Sequence, residues 1–194
     1  ANNNVEIKST DGGSGTSGNI QVNDALSWSS GTGLTLNAIN NIYINKLIDA
    51  SAGNGGRLVL KFGQGNANGY VTDSSGNPTT TLADYYLGAN GKVNLQAGAN
   101  FATKLGGEAQ VEYTVITQLG AAGDESRSDA VNSLQGLGYT SRLGGNYVLG
   151  ADIDASDTAN WNEDGSGNKL GFKPIGSNSN RFSGRFHGLG HVIS

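Results

Sequence analysis

Three constellations in this 194-residue chain combine residue types and spacings that could do chemistry. Asp152 and Asp154 sit two apart, with Asp157 close behind. On a strand, residues two apart share a face, so these carboxylates could act as acid and base in a polysaccharide-cleaving enzyme. With Asp157 they could also offer oxygen ligands to Ca²⁺. Alternation favours something plainer. With Ile153 inward both carboxylates point outward, where water and turn hydrogen bonds satisfy them, and the dense ligand spacing of a dedicated calcium loop is missing. His187 and His191 are four apart, the spacing at which a helix would present both to one metal or haem. Gly188 and Gly190 between them argue instead for a turn between strands, so both histidines read as structural turn positions. Gly13-x-Gly15-x-x-Gly18 matches a dinucleotide fingerprint, but it leads into a strand pattern and supplies no helix N-terminus for a pyrophosphate. Ser17 likewise stands where the calcium nonapeptide of other solenoids needs a carboxylate. No Gly-x-Ser-x-Gly elbow occurs, and the absence of cysteine removes thiol nucleophiles and thiolate metal sites. The residues assemble no catalytic site, no metal site and no cofactor site, and the expectation is a non-enzyme.

The elements around these residues are short strands written in a repeat. Gly18-Asn19-Ile20-Gln21-Val22-Asn23 is followed by Leu34-Thr35-Leu36-Asn37. Asn41-Ile42-Tyr43-Ile44-Asn45 is then followed by Arg57-Leu58-Val59-Leu60-Lys61. Each segment alternates apolar with polar residues, the period of a strand with one buried face. Ile20 recurs as Ile42 and Leu34 as Leu58, a spacing of roughly 22–24 residues that suggests a solenoid with one coil per copy. One coil cannot bury its apolar row alone. Stacked coils can, which predicts a single core holding Ile20, Val22, Leu34, Leu36, Ile42, Ile44, Leu58 and Leu60. The fold expectation is therefore all-β, a parallel β-helix over residues 1–194 as one segment.

Composition supports that expectation. The chain has 32 glycines against 2 prolines and only 14% charged residues, a recipe for tight turns in which Gly and Asn accept left-handed backbone. Regular β-branched alternation at low charge density argues against disorder. A net charge of −4, with scattered arginines, provides no basic footprint for nucleic acid. The lack of cysteine suits a secreted bacterial protein, and the lack of any Met suggests a processed product or an excised piece. No apolar run approaches the roughly 20 residues that a transmembrane helix requires. Asn-x-Ser/Thr sequons are absent as well.

Two interruptions are expected. Residues of about 63–90, with Asn77-Pro78 and a Thr-rich run, read as a projecting loop before the pattern resumes at Val93 and Leu95 in the phase of Leu58. Tyr70, Tyr85 and Tyr86 would make this loop a candidate partner-contact surface, or would simply cover the solenoid's side. Val5–Lys8 and Val111–Leu119 read as further strands. Residues of about 120–145 read as a second insertion, with a short helix between Asp124 and Gly136.

The C-terminal third carries a family resemblance. It lies in Asn146-Tyr147-Val148-Leu149-Gly150-Ala151-Asp152-Ile153-Asp154-Ala155, Trp161-Asn162, Gly171-Phe172-Lys173-Pro174-Ile175-Gly176 and Phe182-Ser183-Gly184-Arg185-Phe186-His187-Gly188-Leu189-Gly190-His191-Val192-Ile193-Ser194. This series, with Tyr113-Thr114-Val115-Ile116-Thr117 upstream, resembles the two-partner secretion exoproteins. That group includes filamentous-haemagglutinin-type adhesins and haem- or haemopexin-utilisation proteins. The resemblance implies a right-handed parallel β-helix on a surface filament, exported through an outer-membrane β-barrel transporter. It implies a shaft segment of a secreted adhesin that attaches to a host surface protein or glycan. The alternatives are a haem- or haemopexin-binding module and a β-helix carbohydrate-active enzyme. Two departures matter. The family's secretion motif has Asn-Pro near the mature N-terminus, whereas Asn77-Pro78 lies in a Thr-rich loop, and His187 stands where relatives often have Asp.

Overall fold

A computed structural model describes residues 3–11 and 17–194, so Gly13 and Gly15 of the fingerprint lie outside the described residues. The described chain is mostly β, and its helix is limited to 3-10 turns of three to five residues. The strands in chain order are β1 (Val5–Lys8), β2 (Ile20–Val22), β3 (Leu26–Ser27), β4 (Gly33–Asn37), β5 (Ile42–Ile44), β6 (Leu47–Ala50) and β7 (Arg57–Phe62). A hairpin of β8 (Tyr70–Thr72) and β9 (Pro78–Leu82) follows, then β10 (Tyr85–Leu87), β11 (Lys92–Leu95) and β12 (Gly98–Leu105). The chain continues with β13 (Val111–Ile116), β14 (Asn146–Leu149) and β15 (Arg185–His187).

Between β2 and β12 the chain makes three passes, and each pass adds one strand to each of three parallel ladders. The ladders are β2-β5-β10, β3-β6-β11 and β4-β7-β12, the last extended by β1. The register follows the repeat: Ile20 pairs with Ile42, Val22 with Ile44, Leu34 with Leu58 and Leu36 with Leu60. All the residues expected inside are buried in one cluster, joined by Ile48, Val93, Leu95 and Phe101. Alternation explains why. Within β4 and β5 every second side chain enters the shared interior, while Thr35 and Tyr43 face outward and stack on their neighbours in register.

Polar columns lock this register along the outside. The Asn45 amide donates to Asn23 Oδ1 at 2.8 Å, Asn19 Oδ1 accepts the Asn41 N–H at 2.9 Å, and the Asn37 amide donates to Glu6 at 2.9 Å. The first two bonds join like positions of successive passes and the third ties β4 to β1, so a slip by one residue would break them together with the apolar stack. Corners need glycine where backbones approach most closely. A Cβ on Gly53, whose φ is +62°, would lie 2.1 Å from Ser29 O, and one on Gly91 would lie 2.0 Å from Ile44 O.

Three expectations are corrected. The first insertion ends earlier than residue 90, because Tyr85-Tyr86-Leu87 pairs in parallel with Ile42-Tyr43-Ile44 and so opens the third pass. Val93 consequently pairs with Ile48, and Phe101 takes the place beside Leu58 that periodicity had offered to Val93. The helix expected between Asp124 and Gly136 is absent. In its place are 3-10 turns at Asp124–Ser126, Gln135–Gly138 and Thr140–Arg142, and the first of them ends where the backbone becomes extended at Arg127, with φ −107° and ψ 128°. Finally, the stack is not parallel throughout. A tight turn at Gly106, with φ +46° and Glu108 N–H donating to Leu105 O, sends β13 back antiparallel to β12.

Beyond that reversal β14 pairs in parallel with β13, and β15 with β14, completing a seven-stranded sheet. A second core forms here from Ile116, Leu119, Leu134, Leu137, Tyr147, Leu149 and Ile153. Buried Gln135 ties it together, since its side-chain amide donates to Lys173 O at 3.1 Å and its Oε1 accepts the Lys173 N–H at 3.0 Å. Among the described residues no helix is long and apolar enough to cross a membrane.

Candidate functional site

The three tyrosines expected on one loop are separated by the fold. Tyr70 lies in the hairpin, where the Asn66 side chain bonds both its N–H and its carbonyl. Tyr85 and Tyr86 are neighbours on β10, and strand alternation sends them to opposite sides. Tyr85 turns inward and Tyr86 outward. The exposed Tyr86 ring stacks on Tyr43 with centroids 5.3 Å apart, extending the outward column that begins at Gln21.

Tyr85 anchors an aromatic cluster that the sequence gives no means of foreseeing. Its ring packs with Phe62, Phe101 and His187, and Tyr113 packs with Phe101 and His187. Tyr85 Oη and His187 Nδ1 share a hydrogen bond of 2.7 Å. Burial pushes the Tyr85 phenol up, with Tyr113 and Asp84 adding to the effect, so it keeps its proton at any ordinary pH. Burial pushes the His187 imidazole down, which Asp84 opposes and Arg185 reinforces, and neutral imidazole is favoured at neutral pH. His187 is therefore a strand residue packed among rings rather than a turn position. The signal that could have found it is weak, since its partner Tyr85 lies 102 residues away.

A cleft of about 370 Å³ opens above this cluster. Tyr85, Tyr113 and His187 line it together with Tyr86, Asp84, Glu108 and Arg185. Asp84, Glu108 and Arg185 are exposed, and among the described residues no carboxylate lies within ion-pair distance of Arg185. Six strands, β7, β9, β10, β12, β13 and β15, contribute to the lining. β10 carries the tyrosine pair, β13 carries Tyr113, and β15 carries Arg185 and His187.

The paired aspartates have different surroundings. Asp152 Oδ2 accepts Lys92 Nζ at 2.6 Å, while Oδ1 faces His191 Nδ1 at 3.0 Å and accepts the Val192 N–H at 3.1 Å. The Lys92 hydrogen bond, followed by those from Val192 and His191, holds its carboxyl well below the usual carboxylate range. His191 Nε2 meets Val93 O at 2.9 Å, and its side chain is only 1% exposed. Ile153 is buried and both aspartates are exposed, as strand alternation predicts, and Asp152 serves in addition as a tether between the second core and β11. Asp154 accepts the Ser156 N–H at 2.9 Å, an Asx turn that holds its pKa down. The geometry gives this pair two separate structural tasks. Among the described residues no three His, Asp or Glu side chains gather in a way that could hold a metal ion.

No family model, no curated protein and no solved structure matches this chain.

Proposed function

We propose that the three ladders close into a right-handed parallel β-helix, and that the chain is a non-catalytic shaft segment of a secreted bacterial surface adhesin. An outer-membrane β-barrel transporter would export the parent protein. The observation that carries this reading is the repeated pass: β2-β3-β4, β5-β6-β7 and β10-β11-β12 visit the same three ladders in the same order, in register. The right hand follows from the strong preference of parallel crossovers for that sense. Such a stack is stiff along its axis, because each coil is bonded to the next by strand ladders, side-chain columns and a continuous apolar row. Stiffness and length are what a shaft supplies.

The occupied state of Asp152 and the turn role of Asp154 favour this reading over a carbohydrate-active enzyme. An acid–base pair needs carboxyls free to exchange protons with substrate. The test uses antibodies raised against the purified chain. They should label intact bacteria that produce the parent protein with its transporter, and the label should disappear when the transporter is deleted. Labelling only after permeabilisation would refute surface placement. Release of reducing ends from polysaccharide by the purified chain would refute the non-catalytic assignment.

A further inference from the structure

We propose that the cleft above Tyr85 and His187 is a binding site for a neutral saccharide of one or two rings. Its volume of about 370 Å³ falls within the roughly 300–1,000 Å³ range of small-molecule sites. The lining matches the two chemistries of a sugar. A pyranose presents a C–H face that stacks on an aromatic ring, and a rim of hydroxyls that each donate and accept. Tyr86 provides the ring. It is 45% exposed, it lines the cleft, and β10 is the terminal strand of its ladder, so no strand follows on the side away from Tyr43.

Asp84 and Glu108 provide acceptors for hydroxyl protons, and the Arg185 guanidinium provides donors. The mixture of signs selects against the other ligand classes. An anion would meet Asp84 and Glu108, a cation would meet Arg185, and an apolar molecule would strip water from all three without replacing their hydrogen bonds. A neutral polyol satisfies both signs at once. The floor is fixed in advance, because the Tyr85–His187 bond and the ring contacts with Tyr113 and Phe101 hold the aromatic cluster in place.

This site does not depend on the shaft reading, since it needs only the described cleft. The test is calorimetric titration of the purified chain with lactose, maltose, cellobiose and N,N′-diacetylchitobiose, alongside Tyr86→Ala, Arg185→Ala and the control Tyr70→Ala. Saturable binding of at least one of these sugars is expected. Tyr86→Ala should weaken it at least tenfold and Arg185→Ala several-fold, with Tyr70→Ala unchanged and all three variants melting near the wild type. Failure of all four sugars to bind would overturn the proposal. Binding that survives Tyr86→Ala at full affinity would also overturn it, as would equal losses in Tyr70→Ala.

Discussion

Asn40 offers a sharp test of how the hairpin β8–β9 is attached. The residue is 4% exposed and its side chain makes four hydrogen bonds. The amide donates to Ser17 O at 2.7 Å and to Thr72 O at 3.0 Å, while Oδ1 accepts the Thr72 N–H at 2.7 Å and the Thr72 hydroxyl at 3.0 Å. One side chain therefore pins the inserted hairpin to the corner between β4 and β5. At about 1 kcal/mol net per bond, discounted because half-buried Thr72 regains some water, Asn40→Ala should cost about 2–4 kcal/mol. Urea unfolding followed by circular dichroism measures that cost. Limited proteolysis should meanwhile find faster cleavage at the hairpin tip, residues 73–77. Asn40→Asp separates the two halves of the network. It keeps the acceptor for Thr72 but sets carboxylate oxygen against Ser17 O and Thr72 O, so at neutral pH it should be at least as damaging as alanine. A loss below about 1 kcal/mol in Asn40→Ala, with unchanged cleavage, would refute the pinning argument.

Other outcomes follow from the core and the tethers. Ile44 is wholly buried, so Ile44→Asp should abolish cooperative folding, and a variant with wild-type dichroism and melting would disprove the register. Gly53→Ala must place a Cβ on backbone oxygen at a left-handed position, and its melting temperature should fall by several degrees. Arg57 contacts both carboxylate oxygens of Glu112 across the antiparallel junction, yet both side chains are partly exposed, so Arg57→Ala should cost no more than about 1 kcal/mol. Asp152 has a folded pKa below its unfolded value near 3.9. Its contribution is fully present above that value and is lost as pH falls through the folded pKa. Asp152→Asn should therefore melt below wild type at pH 7, with the gap closing as the pH is lowered beneath about 4 in parallel melting scans. A gap independent of pH would show that the carboxylate's charge is irrelevant.

Much of the first half was legible because its information is local. Alternation within Ile20–Val22 or Leu34–Leu36 states which face is buried, and repetition one pass later states which residue lies alongside, so core and register both follow from short windows. The third pass was harder to locate. Tyr85-Tyr86-Leu87 lacks the alternating β-branched residues of Ile20-Gln21-Val22 and Ile42-Tyr43-Ile44, and the apolar phase of Val93 resembled that of Leu58 as closely as that of Ile48.

Tertiary structure alone decided the rest. The reversal after β12 depends on one tight turn at Gly106 in a chain rich in such turns, and nothing local distinguishes it from the turns that continue the stack. Asp152 is a tether as well as a surface carboxylate because Lys92 and His191, separated from it by 60 and 39 residues, arrive from different elements. The cleft is likewise assembled from six strands, β10, β13 and β15 among them, whose sequences are ordinary strand sequences when taken singly. Apolar periodicity is a property of one strand and survives in any neighbourhood, whereas hydrogen bonds and clefts exist only between strands once their order and direction are set.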